Sequence, residues 1–313
     1  MGDLVVVGSC NGRIRALDKE TGKVKWQYDI TKDGDQRQFH GDPLIADELV
    51  VIGTDGNIGH VYAFERYTGI VRWKYRVNER GVASDIVRLG DSVYAVTLGN
   101  ELLSLDIKSG KARWTFHGGY SGQDCLTCSS PAAAEGRVYF GGLDGFAYAL
   151  DGQSGKLSWK QNLGAQVTTS AAIRGGDLYL GTAKRHLYRL NADSGEVLGD
   201  IETVATPSGR LVPVDNSLLA FLGDEVFASF DLDLKKLLWS AEACKQWISA
   251  RLYLWGDTVL AGNRHELVAF RATDGTREWS YQFPETIRGI GASPEVLYVG
   301  TLSGPIFAYT PKP

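Results

Sequence analysis

The sequence predicts an all-β protein, a β-propeller of four-stranded antiparallel blades, on three observations. A frame of residue types recurs along the whole chain, its successive copies 40 to 47 residues apart. Between these frames, short runs alternate β-branched or aromatic residues with small or polar ones, the period of a half-buried strand. The chain also holds 38 glycines against nine prolines, and Asp-Gly, Ser-Gly and Thr-Gly pairs punctuate the runs as tight-turn signals. No segment sustains helical periodicity.

The frame begins as Asp18, Thr21-Gly22 and Trp26. It returns as Glu65, Thr68-Gly69, Trp73; as Asp106, Ser109-Gly110, Trp114; and as Asp151, Ser154-Gly155, Trp159. A weaker copy has Asn191 and Ser194-Gly195, with Gly199 in the tryptophan slot. Asp231 with Trp239, and Arg271 with Asp274-Gly275 and Trp279, complete seven. An eighth copy starts near residue 296 and has no tryptophan. A residue needed once for chemistry would not appear in blade after blade, so the slot tryptophans are expected to wedge between adjacent sheets. Trp255 is expected to pack locally.

Each unit reads as four strands. In the clearest copy these are 129–134, 137–142, 146–150 and 157–161, joined by short turns. Sheets packed radially leave few exposed edges, which is the propeller solution. Eight copies of the second and third strands predict eight blades, with 8 × 4 − 2, or 30, strands, because the first copy lacks an inner strand and the last an outer one. Seven blades closed by the last inner strand are the alternative. The whole of 1–313 is expected to form a single domain.

The stretch "SSPAAAEGRVYFGGLDGFAYALDGQSGKLSW", residues 129–159, resembles the repeat of the PQQ-binding-like, quinoprotein-type and BamB-like β-propellers. The likeness runs from Asp3 to Tyr309. It implies the fold directly. For function it implies either a quinoprotein alcohol dehydrogenase, an outer-membrane assembly scaffold, or a sensor or scaffold propeller without quinone.

Composition narrows the classes. With 33 Lys+Arg against 37 Asp+Glu the net charge is −4, and no basic run offers the grip that nucleic acid needs. No apolar stretch reaches the 18 or so residues of a membrane span. Met1-Gly2-Asp3 opens no leader pattern. The expectation is a soluble chain, periplasmic or secreted if a signal peptide has been removed and cytoplasmic otherwise.

Alternating strand direction places second-to-third loops and interblade loops on one face. His60, His186 and His265 are assigned to the former, His40 and His117 to the latter, and all four cysteines fall on the same face. Loops on a rigid scaffold carry binding residues. At the channel mouth the inner strands align Asp42, Asp85, Ser130, Ser170, Arg210, Arg251 and Gly289, with Arg288 one residue earlier and His40 two residues before Asp42. Two acids, Asp42 and Asp85, would face three arginines overlooked by Trp247. Guanidinium groups beside an aromatic face suit a planar anion, so the candidate ligand set is His40, Arg210, Trp247, Arg251 and Arg288. Asp42 and Asp85 are the candidate acid–base residues. A hydrated network of Asp–Arg pairs is the structural alternative.

Cys125 and Cys128 form a CxxC pair, with His117 the nearest third ligand. A structural zinc site needs four ligands, and no second CxxC supplies them, so no metal is expected; a disulfide or free thiols fit better. The quinone set that the resemblance implies comprises a vicinal disulfide, a calcium bound by Glu and Asn, and an Asp base. This chain has no adjacent cysteines and no Glu or Asn at its inner-strand positions. No cofactor is therefore expected, with PQQ and calcium the remote alternative. The reading these features support is a non-catalytic binding scaffold that takes a protein or peptide partner through the loop face and channel mouth. The alternative is a small enzyme or sensor holding an anionic, quinone-like molecule; a third is a sensory domain of a longer protein.

Overall fold

A computed structural model of the chain describes residues 3–9, 11–34, 38–56, 58–77, 80–119, 129–223, 225–242, 252–262, 265–293, 295–301 and 305–310, with the side chain of Arg288 left out. Thirty strands among these residues form eight antiparallel sheets in chain order, the eight blades of a propeller. The first sheet (Leu4–Gly8, Arg13–Asp18, Val24–Asp29) and the eighth (Ile287–Ala292, Leu297–Thr301, Ile306–Tyr309) have three strands; the other six have four. The fourth sheet runs Ala132–Ala134, Arg137–Gly141, Phe146–Asp151, Leu157–Asn162. A 3-10 turn, Ile30–Asp33, is the one helical element among the described residues. The chain divides into two compact units, 1–164 and 165–313, with four blades each.

The inner strand of the fourth sheet is shorter than the sequence predicts, three residues rather than six. Its first half turns away to bond sideways, as the site shows below.

Apolar side chains meet between sheets. In the first unit, Tyr94, Val96 and Leu102 of the third sheet pack on Val138, Phe140, Tyr148 and Leu150 of the fourth. In the second unit, Leu219, Phe221 and Phe227 of the sixth sheet pack on Val259, Val268 and Phe270 of the seventh. A blade set between two others within its unit therefore buries both faces, and its strands read as apolar runs flanked by turn residues.

The recurrent frame has a physical account. The frame acid caps its own turn: Asp106 Oδ1 accepts from Ser109 N and Ser109 Oγ, both at 2.8 Å. Three slot tryptophans donate the indole N–H to the residue after the next frame acid. Trp26 reaches Arg66 O at 2.7 Å, Trp73 reaches Ile107 O at 2.8 Å and Trp114 reaches Gly152 O at 3.0 Å. The turn glycine lies flat on the indole. A Cβ at Gly110, whose φ is +67°, would stand 2.5 Å from Trp73, so that position needs glycine for both backbone and space. Opposite each slot tryptophan the third strand carries a small residue: Ala16, Ala63, Ser104, Ala149, Ser229 or Ala269.

The fifth blade reverses this pairing. Gly199 fills the slot and its cross-strand partner is Arg189. The guanidinium crosses the space the indole occupies elsewhere, with Nε 2.8 Å from Asp177 Oδ2 and Nη1 on Asp233 of the next turn. That next turn is the one among the seven frames without a glycine, and Leu234 takes the positive φ there, +56°. Trp255, set apart from the slot series, ends an inner strand and donates to Ser293 O at 2.7 Å.

Candidate functional site

In the first unit the residues expected at the channel mouth sit just before their inner strands. Asp42 precedes Pro43 and Leu44–Ala46; Asp85 precedes Val87–Leu89; Ser130 precedes Pro131 and Ala132–Ala134. Proline gives no N–H to a ladder, and the chain here bonds to its neighbour blade instead. Asp42 N donates to Asp85 Oδ1 at 2.8 Å, and Asp85 N donates to Ser130 Oγ at 3.0 Å. The aligned positions thus form a lateral chain across three blades, and one oxygen of the Asp85 carboxylate is taken up by a backbone N–H.

His40 stands beside this row, 43% exposed, with Nδ1 2.5 Å from Asp55 Oδ2. Asp55 lies in the second blade's second-to-third loop, and its Oδ1 is buried with no hydrogen-bond partner. The carboxylate fixes the imidazole and leaves Nε2 on the far side of the ring. His117 closes the fourth strand of the third blade rather than lying beyond it, and its Nε2 is 3.3 Å from Glu101 Oε1. His60 is the first residue of a third strand, not of the loop before it, and is buried. Burial holds the His60 imidazole below its usual pKa, and the Lys74 charge adds to this.

Two polar latches tie interblade loops down on this unit. Asp33 accepts from Tyr28 OH at 2.8 Å, Tyr62 OH at 3.0 Å and Lys74 Nζ at 2.9 Å. Burial alone would raise the Asp33 carboxyl, but these donors together hold it below the ordinary carboxylate range. Burial, with help from Asp33, pushes the Tyr28 phenol up to about 12. In the second latch, Asn100 Nδ2 donates to Gly119 O and Gly119 N donates to Asp144 Oδ2, each at 2.8 Å. Tyr148 OH also donates to Asp144.

In the second unit, Ser170 N donates to Gly209 O at 2.8 Å and Thr168 Oγ1 to Pro207 O at 2.6 Å. The same sideways bonding recurs there. Arg210 lies in the strand Pro207–Val214, its guanidinium 5.9 Å from the Tyr253 ring centroid, a cation–π approach. His186 opens a third strand with Nε2 3.7 Å from Asp200 Oδ2. Arg288 lies in Ile287–Ala292. Trp247, Arg251, Cys125 and Cys128 lie outside the described residues. Of the expected ligand set, His40 and Arg210 are the side chains the structure describes.

Among the described residues no three His, Cys, Asp or Glu side chains stand together as a metal centre requires. The calcium–quinone arrangement uses a Glu, an Asn and an Asp base, whereas the aligned positions here set Asp42, Asp85 and Ser130 in a lateral hydrogen-bonded row. Asp55 escaped the sequence reading because Asp55-Gly56 looks like one more turn pair, as Asp144-Gly145 does. Arg189 escaped because a small-to-large change in a third strand has meaning only beside its cross-strand partner. No helix among the described residues is long and apolar enough to cross a membrane.

Comparison with known proteins fits this architecture. The structure superposes on that of BamB from Moraxella catarrhalis with a TM-score of 0.84, covering 99% of this chain and 94% of that one at 18% identity. In sequence the chain is 25% identical over 238 residues to the outer membrane protein assembly factor BamB of Yersinia pestis, which covers 72% of this chain and 58% of that protein. It is 25% identical over 258 residues to a quinoprotein ethanol dehydrogenase of Pseudomonas aeruginosa, covering 65% of this chain and 40% of the enzyme. The chain spans 48% to 58% of the length of three assembly factors it matches. The model of one family, described as outer membrane protein assembly factor BamB, matches residues 1–117 and 121–230. With its repeat and eight blades, this chain belongs to that BamB family of PQQ-like β-propellers.

Proposed function

We propose that the chain is a non-catalytic propeller, one domain over 1–313, that binds protein partners in outer-membrane protein assembly within the cell envelope. The family match over 1–117 and 121–230 carries the reading. The acids singled out for catalysis support it. Asp85 spends an oxygen and its own N–H on neighbouring strands, whereas a general base needs its carboxylate within reach of a substrate proton. The loop face of the first unit, with His40 and His117 held by Asp55 and Glu101, is the rim proposed for the partner.

The test pairs two measurements. Deleting the gene in the native host should lower the amount of folded outer-membrane proteins, and Asp85→Asn should restore them, because the amide keeps the acceptor oxygen. Calorimetric titration with PQQ and calcium should give no saturable heat. Saturable binding that Arg210→Ala or Asp85→Asn abolishes would replace this reading with the small-molecule one, in which Arg210, Arg251, Arg288 and Trp247 hold an anion.

A further inference from the structure

The opposite side of the first unit, where frame turns and first-to-second hairpins lie, holds an anomaly that internal comparison exposes. The second residue after the frame acid is polar in six copies: Glu20, Lys108, Gln153, Asp193, Asp233 and Thr273. In the second blade it is Tyr67. The fifth residue after the acid is Lys23, Lys111, Lys156 or Lys236 in four copies and polar in two more, but Ile70 in the second blade. Tyr67 is 52% exposed and Ile70 58%. Nothing in the fold asks for apolar side chains here, since six sister turns fold with polar ones.

The same turn is tied to a cavity. Arg66 N donates to Glu48 O at 2.8 Å and Arg66 Nη1 to Asp47 O at 3.4 Å, while its guanidinium lies 5.3 Å from the Tyr67 ring centroid. Asp47 and Glu48 line a half-open cavity of about 220 Å³ between the second and third blades, with Ala46, Leu49 and Ile107 as its apolar lining and Arg72, Arg88 and Lys108 as its cations. Arg88 is held by Asp47 at 2.7 Å and Arg72 by Glu65 at 2.8 Å. Lys108 and Glu48 have no ion-pair partner among the described residues. The volume is below the 300–1,000 Å³ or so of small-molecule sites, so the cavity takes one side chain rather than a cofactor.

We propose that this patch docks an extended peptide segment of a partner protein in which an apolar or aromatic residue is flanked by acidic ones. The anchor enters between Leu49 and Ile107, its acidic neighbours meet Lys108, Arg72 and Arg88, and Tyr67 and Ile70 cover the adjoining stretch. Exposed Tyr and Arg around an apolar pocket are the composition of binding hot spots. Charge selects the ligand: Arg66, Arg72, Arg88 and Lys108 outnumber Asp47, Glu48 and Glu65. The proposal rests on the reading of the chain as a partner-binding propeller, but on a side away from the proposed loop-face rim.

The experiment is fluorescence anisotropy of the full chain with a labelled probe peptide, one phenylalanine flanked on each side by two aspartates. The expected result is saturable, salt-sensitive binding that falls about tenfold or more with Lys108→Glu and with the sister-blade replacements Tyr67→Gln and Ile70→Thr. Binding should tighten with Glu48→Gln. Those positions are exposed, and unchanged thermal melting keeps the variants interpretable. A peptide with alanine for phenylalanine should bind about tenfold more weakly. Absence of saturable binding, or binding indifferent to all four substitutions, overturns the proposal. Concentration-dependent dimerisation that Tyr67→Gln abolishes also overturns it, assigning the patch to a second copy. Binding lost with His117→Ala but not with Tyr67→Gln would sink this site and leave the loop-face reading standing.

Discussion

Arg189 offers the sharpest test of how the blades lock together. Replacing it with alanine removes a guanidinium that is 24% exposed, together with its bonds to Asp177 (17% exposed) and Asp233 (48% exposed). Breaking a fully buried pair costs about 3–5 kcal/mol, whereas an exposed pair contributes about 0–1 kcal/mol. Asp177 lies near the first case and Asp233 near the second, so Arg189→Ala is expected to cost about 2–3 kcal/mol. Arg13→Ala, which breaks an exposed 3.5 Å pair with Asp29, should cost less than about 0.5 kcal/mol. Gly199→Ala supplies the second leg, because its Cβ would meet the Asp233 carbonyl oxygen at 2.8 Å, an overpacking cost of about 1–3 kcal/mol. With Arg189 gone the Asp233 turn is no longer pinned and can yield. The double variant should therefore be less destabilised than the sum of the singles by at least about 0.5 kcal/mol. Urea unfolding followed by tryptophan fluorescence measures all four corners of the cycle. Additivity within error would refute the idea that arginine and glycine jointly replace the tryptophan lock, and a loss below about 0.5 kcal/mol for Arg189→Ala would refute the burial reasoning.

Glycine positions give a paired comparison. Gly110→Ala meets Trp73 at 2.5 Å with φ +67°, while Gly22→Ala has the same φ and nothing within 4 Å. The first should cost about 1–3 kcal/mol more than the second in denaturant unfolding, and equal costs would mean that backbone strain alone fixes these glycines. Stability should also depend on pH through His60. Its folded pKa lies below the unfolded 6.5, so the neutral ring's contribution is full above about pH 6.5 and is lost as pH falls through the folded value. His60→Gln should flatten that part of the stability–pH curve, and an unchanged slope would exclude the histidine as its source. Carboxylates held low, such as Asp33, act in a separate window: their contribution is present above 3.8 and fails below it. Removing a latch by Tyr62→Phe should cost about 1 kcal/mol and raise amide exchange in the Ile30–Asp33 turn. Protection equal to wild type would show that Tyr28 and Lys74 hold Asp33 without it.

By itself the sequence determined the repeat, the strand count and the slot tryptophans, because each is a local pattern copied along the chain. An acid three residues before a Ser/Thr-Gly pair caps its own turn whatever the neighbouring blade does, so that frame reads directly as structure. The apolar runs likewise announce strands buried on both faces. Other features needed the fold. Asp42, Asp85 and Ser130 looked like a row of channel-facing chemistry, and only the lateral bonds revealed that their backbone and side chains join one blade to the next. The Asp55 partner of His40 and the exchange of Trp for Arg at Gly199 join residues that are ten or more positions apart in sequence. Hydrogen bonds and volume act through space, between strands and blades that a linear reading cannot place side by side. Periodicity is a property of the chain; which polar group is left to meet a partner depends on what the neighbouring blade has already taken.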